Sequence, residues 1–163
     1  MSIARQAFDP HDHDACIVSA LDAAELLCFR HGARLTGRRR RVLELVWRSH
    51  RAVKAYNLLE QLALDEPGVK PPTVYRALDF LIAQGLVHRI ESLNAFVGCT
   101  RPGQAHREQF LICDDCGTVH EMEVPEVGRS LTKAASGAGF QPEHQTVEVH
   151  GHCESCRQPA PRS

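Results

Sequence analysis

The fold of the first half is decided by residues 70–99, which read KPPTVYRALDFLIAQGLVHRIESLNAFVGC. Pro71 and Pro72 preset the first turn of a helix, and Gly85 ends it. Apolar and polar residues then alternate on both sides of residues 92–94, which predicts a short hairpin. A helix followed by a small hairpin is typical of a winged helix-turn-helix. The buried stripe of the helix is predicted to contain Val74, Leu78, Leu81 and Ile82.

Three more helices are predicted before this segment. Apolar residues recur at steps of three and four from Ile17 to Cys28, Thr36 suits the N-cap of a second helix, and residues 55–63 form a third. We therefore place a winged-helix domain at residues 17–98, after a flexible N-terminus over residues 1–16.

The second half has a different pattern, which favours a separate domain of mixed helix and sheet. Two strands are predicted around the first C-x-x-C motif, a helix follows at residues 124–139, and a strand leads into a second C-x-x-C motif. The fold class is thus α+β. A hinge is expected at residues 99–107, a zinc-binding domain at 108–157 and a disordered tail at 158–163.

Composition excludes several classes of protein. The 163 residues are 43% hydrophobic, and 19 Lys and Arg nearly balance 20 Asp and Glu. No apolar run reaches the roughly 20 residues of a spanning helix, so a cytoplasmic protein is expected. The charge is nevertheless uneven, since residues 30–89 hold 12 basic and 5 acidic residues. This pattern favours local binding of nucleic acid by the first half.

The predicted helix at residues 73–84 has the properties of a recognition helix. Lys70, Thr73, Tyr75 and Arg76 cluster at its N-terminal end, where a helix-turn-helix contacts DNA. An arginine fork can bond guanine in two places, which makes Arg76 the main candidate for base recognition. The run from Arg38 through Arg39 to Arg41 is a candidate for phosphate contacts. The alternatives are a solvated helix face for the arginines and a half-buried core aromatic for Tyr75.

Two C-x-x-C motifs indicate a structural metal site. Four thiolates suit one tetrahedral Zn²⁺ ion, and an odd count of seven cysteines without a secretion signal argues against a disulfide framework. The 36 residues between the motifs exceed a simple zinc ribbon, but the intervening helix and strand account for that length. The alternative is a set of free or redox-active thiols. The four candidate ligands are Cys113, Cys116, Cys153 and Cys156.

A second candidate site combines nitrogen, sulfur and oxygen donors from both halves of the chain. Each residue alone has an ordinary explanation, as a solvent-facing histidine, a small core residue, a loop residue or a surface carboxylate. Together they form a plausible tetrahedral zinc site, whose occupancy would fix the relative orientation of the two domains. The four residues are His88, Cys99, His106 and Glu121. Whether a third metal site exists stays open, and no role is assigned to the HDHD run at residues 11–14.

The chain resembles the ferric uptake regulator family in RLTGRRRRVLELVW, KPPTVYRALDFLIAQGLVHRIES, FLICDDCGTVHE and VHGHCESC, and most of all its zinc-uptake-regulator branch. The resemblance spans residues 17–157. It implies a homodimeric, metal-dependent repressor with an N-terminal winged helix and a C-terminal dimerisation domain. It also implies structural zinc at the four C-x-x-C cysteines and a regulatory ion at His88, Cys99, His106 and Glu121, with double-stranded DNA as partner.

One departure from the family pattern bears on the metal. Iron-sensing relatives carry a histidine-rich stretch before the first C-x-x-C motif, whereas this chain keeps only His106 there. Together with the soft ligand Cys99, this favours zinc over iron or manganese. We therefore expect a zinc-responsive repressor of zinc uptake genes that binds palindromic operators and is not an enzyme. The alternatives are an iron or manganese sensor, a zinc hydrolase and a zinc-stapled interaction module.

Overall fold

The computed structural model describes residues 12–157, which divide into two compact units at residue 104. The N-terminal unit contains four helices and a two-stranded hairpin, and the C-terminal unit contains a three-stranded sheet with two helices. The predicted disordered tail at 158–163, and residues 1–11 of the predicted flexible N-terminus, lie outside the described residues. No helix in residues 12–157 is long and apolar enough to cross a membrane.

The N-terminal unit begins with a helix that is longer than the sequence predicts. Helix α1 starts at His13, so the predicted flexible segment 1–16 is too long by four residues. The cause is Asp12, whose carboxylate accepts the backbone N–H groups of Asp14 and Ala15 and so caps the helix. The four helices are α1 (His13–Arg30), α2 (Gly37–Trp47), α3 (Ala55–Asp65) and α4 (Pro71–Ala83).

The core of this unit lies between the four helices and the hairpin. Val74, Leu78 and Leu81 of α4 are buried as predicted, but Ile82 is 37% exposed. The fourth buried position of α4 belongs instead to Ala77, which is 4% exposed. The prediction for Ile82 was wrong because, at about 100° per residue, Ile82 lies roughly 90° from the centre of the face that Val74, Ala77, Leu78 and Leu81 share, at the edge of the stripe.

The predicted hairpin is present and forms the wing. Strand β1 (Val87–Ile90) pairs antiparallel with β2 (Ala95–Gly98), and a 3₁₀ turn (Glu91–Leu93) joins them. Asn94 closes the turn with φ of 46°, a left-handed conformation that asparagine tolerates. Val53 extends the hairpin by exchanging two backbone hydrogen bonds of 2.8 Å with Phe96. The wing is therefore tied to the segment that joins α2 and α3.

The C-terminal unit contains a small sheet and one longer helix. Its strands are β3 (Glu108–Cys113), β4 (Val119–Met122) and β5 (Thr146–Gly151), in the order β4-β3-β5. Strand β3 is antiparallel to β4 and parallel to β5, so helix α5 (Pro125–Gly137) lies in the crossover. One short turn of helix, α6 (Glu154–Arg157), follows β5. The predicted hinge, residues 99–107, contains no helix or strand.

Replacing Thr36 with alanine is expected to lower the free energy of unfolding by about 1 kcal/mol, because Thr36 caps α2. Its hydroxyl accepts the backbone N–H of Arg39 at 3.4 Å. Urea denaturation of the purified protein measures the change. Thr36→Ser keeps the acceptor and should unfold close to the wild-type midpoint, whereas equal midpoints for all three proteins would contradict a stabilising cap.

Candidate metal centres and nucleic-acid interface

Four cysteines of the C-terminal unit come together at one end of its sheet. The sulfur atoms of Cys113, Cys116, Cys153 and Cys156 all lie within 4.8 Å of one another. Cys116 Sγ is 3.9 Å from Cys153 Sγ, although 37 positions separate the two residues. Cys113 is buried and the other three are partly buried. The two predicted C-x-x-C motifs thus form a single cluster.

The parallel pairing of β3 with β5 brings the two motifs together. Cys113 ends β3 and lies opposite Gly151 of β5 in the register, so Cys153 follows immediately beyond the pair. The turn after Cys113 is closed by Gly117, whose φ of 72° favours glycine and whose N–H donates to the Cys113 carbonyl. Both pairs of cysteines therefore lie in turns at the same end of the sheet.

The thiols of this cluster have unequal proton affinities. Backbone N–H groups of Cys116 and Cys153 lower the pKa of Cys113 to about 6, and the Cys153 N–H lies 3.3 Å from its sulfur. The neighbouring Cys153 thiol and burial raise the pKa of Cys156 to about 12. Four thiolates this close would repel one another strongly without a cation between them. A divalent cation would balance their charge, and four sulfur donors at this spacing fit tetrahedral zinc.

Two histidines that sequence analysis left unassigned flank this cluster. His150 and His152 each place Nδ1 2.8 Å from a carboxylate oxygen, that of Asp114 for the first and that of Asp115 for the second. Both aspartates lie between Cys113 and Cys116. The pairs tie the first cysteine turn to the strand that carries the second. The adjacent Asp114 and Asp115 in one motif, and the alternate histidines just before the other, were the sequence signal for these contacts.

Part of the mixed-donor set lies in the C-terminal unit. His106 Nε2 is 2.6 Å from Glu121 Oε1, and their side chains are only 7% and 2% exposed. Glu121 is on β4, opposite Phe110 of β3, so it is not the surface carboxylate that a lone glutamate suggests. Burial of a carboxylate is costly unless a partner with positive charge or a metal ion balances it. The pair therefore offers one nitrogen and one oxygen donor in a dry environment.

The remaining two members of the mixed-donor set lie in the N-terminal unit. His88 is on β1 and is 6% exposed, and Cys99 follows β2 and is 2% exposed. Their ligand atoms lie within 4.8 Å of each other. The backbone N–H of Cys99 donates to the Leu86 carbonyl at 3.0 Å, which fixes Cys99 at the base of the wing. A histidine on a wing is expected to face solvent, so its burial is a sign of a specific role.

The N-terminal end of α4 presents the predicted DNA-binding residues at the surface. Lys70, Tyr75 and Arg76 are exposed, with Tyr75 at 52%, and Thr73 is partly exposed. Tyr75 is therefore not a buried core aromatic. Two prolines remove backbone donors from the first turn, and the Thr73 N–H donates to the Lys70 carbonyl at 2.9 Å. Attraction of phosphate here thus depends on side-chain charge and the helix dipole.

The arginine run of α2 makes contacts within its own unit. Arg38 forms an ion pair of 2.6 Å with Glu66, Arg40 pairs with Glu25, and Arg41 pairs with Glu44 and Asp65. The Arg39 guanidinium lies 3.6 Å above the centre of the Phe80 ring. These contacts neutralise part of the run, so a phosphate contact by Arg38 would compete with Glu66. That Arg38 and Arg39 contact DNA stays a prediction.

The comparisons with known proteins agree with this architecture. The model of the "Ferric uptake regulator family" matches residues 30–150. The chain is 43% identical over 137 residues to the zinc uptake regulation protein of Escherichia coli (strain K12), an alignment that covers 83% of this chain and 80% of that protein. It is 25% identical over 130 residues to the peroxide-responsive repressor PerR of Staphylococcus saprophyticus, covering 78% of this chain and 84% of the relative.

Solved structures show the same similarity. A structure described as a zinc uptake regulator complexed with zinc and DNA has a TM-score of 0.82 and 42% identity, covering 86% of this chain and 94% of the other. The structure of holo XcZur has a TM-score of 0.77 and 47% identity, with 85% and 96% covered. The family model spans well over half of the chain, and the zinc uptake regulation protein and both solved structures are more than 40% identical to the chain. The chain therefore belongs to the ferric uptake regulator family.

Proposed function

We propose that this protein is a zinc-responsive transcriptional repressor that, as a zinc-loaded homodimer, binds palindromic operators of zinc uptake genes. The observation that carries this proposal is the likeness over 86% of the chain to a regulator solved with zinc and DNA. The donor groups of this chain support it independently, because sulfur and imidazole ligands suit zinc. The exposed end of α4 supports the DNA partner.

The four clustered cysteines are assigned to a structural zinc ion. When bound, zinc would supply the cross-link between the β3 turn and the segment after β5, in a unit whose sheet has only three strands. A site closed by four protein ligands leaves no position for water, so this ion has a structural role. The C-terminal unit would then serve as the dimerisation domain, as the resemblance implies.

The mixed-donor set is assigned to the regulatory zinc ion. His88 and Cys99 come from the N-terminal unit, and His106 and Glu121 from the C-terminal unit. An ion bound by all four would restrain the hinge at residues 99–107. It would thereby hold the two recognition helices of a dimer at the spacing of the operator half-sites. Four protein ligands would again leave no open position for a substrate, so no catalysis is assigned.

The donor types favour zinc over the other metals that this family senses. The set contains one thiolate, two imidazoles and one carboxylate, a tetrahedral combination typical of zinc. Iron(II) and manganese prefer harder oxygen and nitrogen donors in sites of higher coordination. Cys99 is thus the residue that decides between the zinc sensor and the alternative iron or manganese sensor.

Arg76→Ala is expected to weaken operator binding by about 5-fold to 150-fold and to relax sequence preference at one base pair, because a bidentate arginine–guanine contact is worth about 1–3 kcal/mol. Lys70→Ala should instead weaken binding to all sequences alike and lower the salt dependence by about one counterion. Fluorescence anisotropy at several salt concentrations measures both. Equal loss on operator and random DNA for Arg76→Ala would refute a base contact.

The proposed function is tested by mobility shift on a pool of genomic fragments at buffered free zinc, and then with iron(II) and manganese(II). A shift that appears only with zinc supports the repressor. A shift that follows iron or manganese would identify the alternative sensor, and binding that ignores all three metals would refute metal control. If no fragment shifts with any metal, the DNA-binding function is wrong, and a zinc-stapled interaction module becomes the better explanation.

A further inference from the structure

A third group of metal-binding side chains lies within the N-terminal unit, apart from the two sites above. His13, Cys16 and His50 bring their ligand atoms within 4.8 Å of one another. All three side chains are partly buried. The rings of His13 and His50 meet edge to face, with centroids 4.8 Å apart. Residues from the start of α1 and from the segment between α2 and α3 thus converge on one point.

The local structure holds each of these residues in place. His13 and Cys16 are three positions apart at the start of α1, so their side chains share one face of the helix. The Asp12 cap fixes that first turn, because its carboxylate accepts two backbone N–H groups. The site is therefore built on an ordered, capped helix end.

The third residue is placed by the core. His50 follows α2 and packs edge to face on Trp47, with ring centroids 6.4 Å apart. Trp47 is 9% exposed and lies against Gly98, where a side chain would clash with the indole ring. Three residues after His50, Val53 pairs with β2. His50 is thus anchored between the unit's core and its wing.

We propose that His13, Cys16 and His50 form a third zinc site, which binds the start of α1 to the segment between α2 and α3. Two imidazoles and one thiolate are zinc ligands, and in a tetrahedral zinc site such donors lie roughly 3.3–3.8 Å from one another, so only a small contraction is needed. Hard cations such as magnesium prefer oxygen and are excluded by the donor set. A water molecule or an exogenous ligand completes the fourth position.

The site would act on the DNA-binding unit itself. Because His13 starts α1 and Val53, three residues after His50, pairs with the wing, zinc here ties the start of α1 to the segment that holds the wing. A helix terminus is the part of a helix that opens most readily, so binding should mainly suppress opening of the first turns of α1. The expected effect is slower amide hydrogen exchange at residues 13–20 when zinc is present.

The test is the number of zinc ions per chain in the full-length protein, measured by elemental analysis after equilibration with buffered zinc. Cys16→Ser and His50→Ala should each bind one zinc fewer than the wild type. His31→Ala is the matched control, because His31 follows the last turn of the same helix and its exposed side chain forms a hydrogen bond with Gln84, away from the cluster. It should keep the wild-type count. Circular dichroism checks that each variant is folded. Because Cys16 and His50 lie on different segments, the test still decides if one of the two variants misfolds.

A cobalt(II) titration gives an independent readout, because a thiolate ligand produces a charge-transfer absorption band. That band should lose one thiolate contribution in Cys16→Ser and keep it in His31→Ala. Loss of this site can be distinguished from loss of the proposed regulatory site. Cys99→Ser alone should lower the zinc count by one, and the double variant Cys16→Ser with Cys99→Ser should lower it by two. Unchanged zinc count and unchanged cobalt spectrum in folded Cys16→Ser and His50→Ala would overturn the third site, whatever Cys99→Ser does.

Discussion

Cys113→Ser is expected to unfold the C-terminal unit, release one zinc ion per chain and leave the protein monomeric. Cys113 is the buried member of the cysteine cluster, and the backbone N–H groups of Cys116, Cys153 and Asp115 stabilise its thiolate. Structural zinc contributes about 10–16 kcal/mol to the folding of small zinc domains. Loss of its most ionised ligand therefore removes a large share of the stability of this unit.

The small core of the unit cannot compensate for that loss. The buried apolar residues described in it are Phe110, Ile112, Cys113 and Val119. A core in a unit of fewer than about 70 residues seldom supplies more than about 3–5 kcal/mol of net stability. The N-terminal unit has its own core of four helices and a wing, so it should stay folded. The expected loss of circular dichroism is thus partial.

Hydrogen exchange shows which unit unfolds, and sedimentation shows whether the protein is still a dimer. In Cys113→Ser, amides of β3, β4 and β5 should exchange freely while those of α2 and α4 stay protected. Cys99→Ser is the control, because it removes a buried thiol from the other unit and should keep both the structural zinc and the fold. If Cys99→Ser unfolds the protein while Cys113→Ser keeps its structure and zinc, the structural and regulatory assignments are reversed.

The sequence predicted the elements of this fold well because their signals are local. Thr36, Gly85 and the two prolines at the start of α4 act on the residues beside them, and the helices and hairpin appear where these punctuating residues place them. The error at Asp12 has the same local origin. A capping aspartate is present in the sequence, but the start of α1 was predicted from the apolar periodicity, which begins only at Ile17.

Contacts between distant residues were beyond sequence reasoning. Nothing local shows that the arginines of α2 pair with Glu25, Asp65 and Glu66, which lie on or beside other helices. The same holds for His50, whose ligand atom lies within 4.8 Å of the Cys16 sulfur although 34 positions separate the two residues. The i, i+3 spacing of His13 and Cys16 was a usable hint, but their third partner depends on how the segment after α2 turns. The paired C-x-x-C motifs did predict that four distant thiols cluster, as the structure has them, and their metal ion stays a prediction.

His88→Ala is expected to abolish the zinc dependence of DNA binding and to leave the fold intact. Suppose that the zinc-free dimer is in its binding-competent arrangement about 1% of the time and the loaded dimer about 99%. Apparent operator affinity then differs about 100-fold between the two states, and the shift requires roughly 10⁴-fold tighter zinc binding to the competent form. A site completed by ligands from both units can supply that difference. Without His88 the ion loses one of its two ligands from the wing.

The measurement is operator affinity of His88→Ala and wild type across buffered free zinc, with elemental analysis of the same samples. The variant should bind operator about 100-fold more weakly than the wild type at saturating zinc and should keep its structural zinc. His31→Ala makes the same chemical change at an exposed position and should behave as wild type. Because His88 is only 6% exposed, a thermal melt must show that the variant is folded. If folded His88→Ala still binds operator more tightly when zinc is added, the ion that controls DNA binding lies elsewhere. The cluster of His13, Cys16 and His50 would then be the first site to examine.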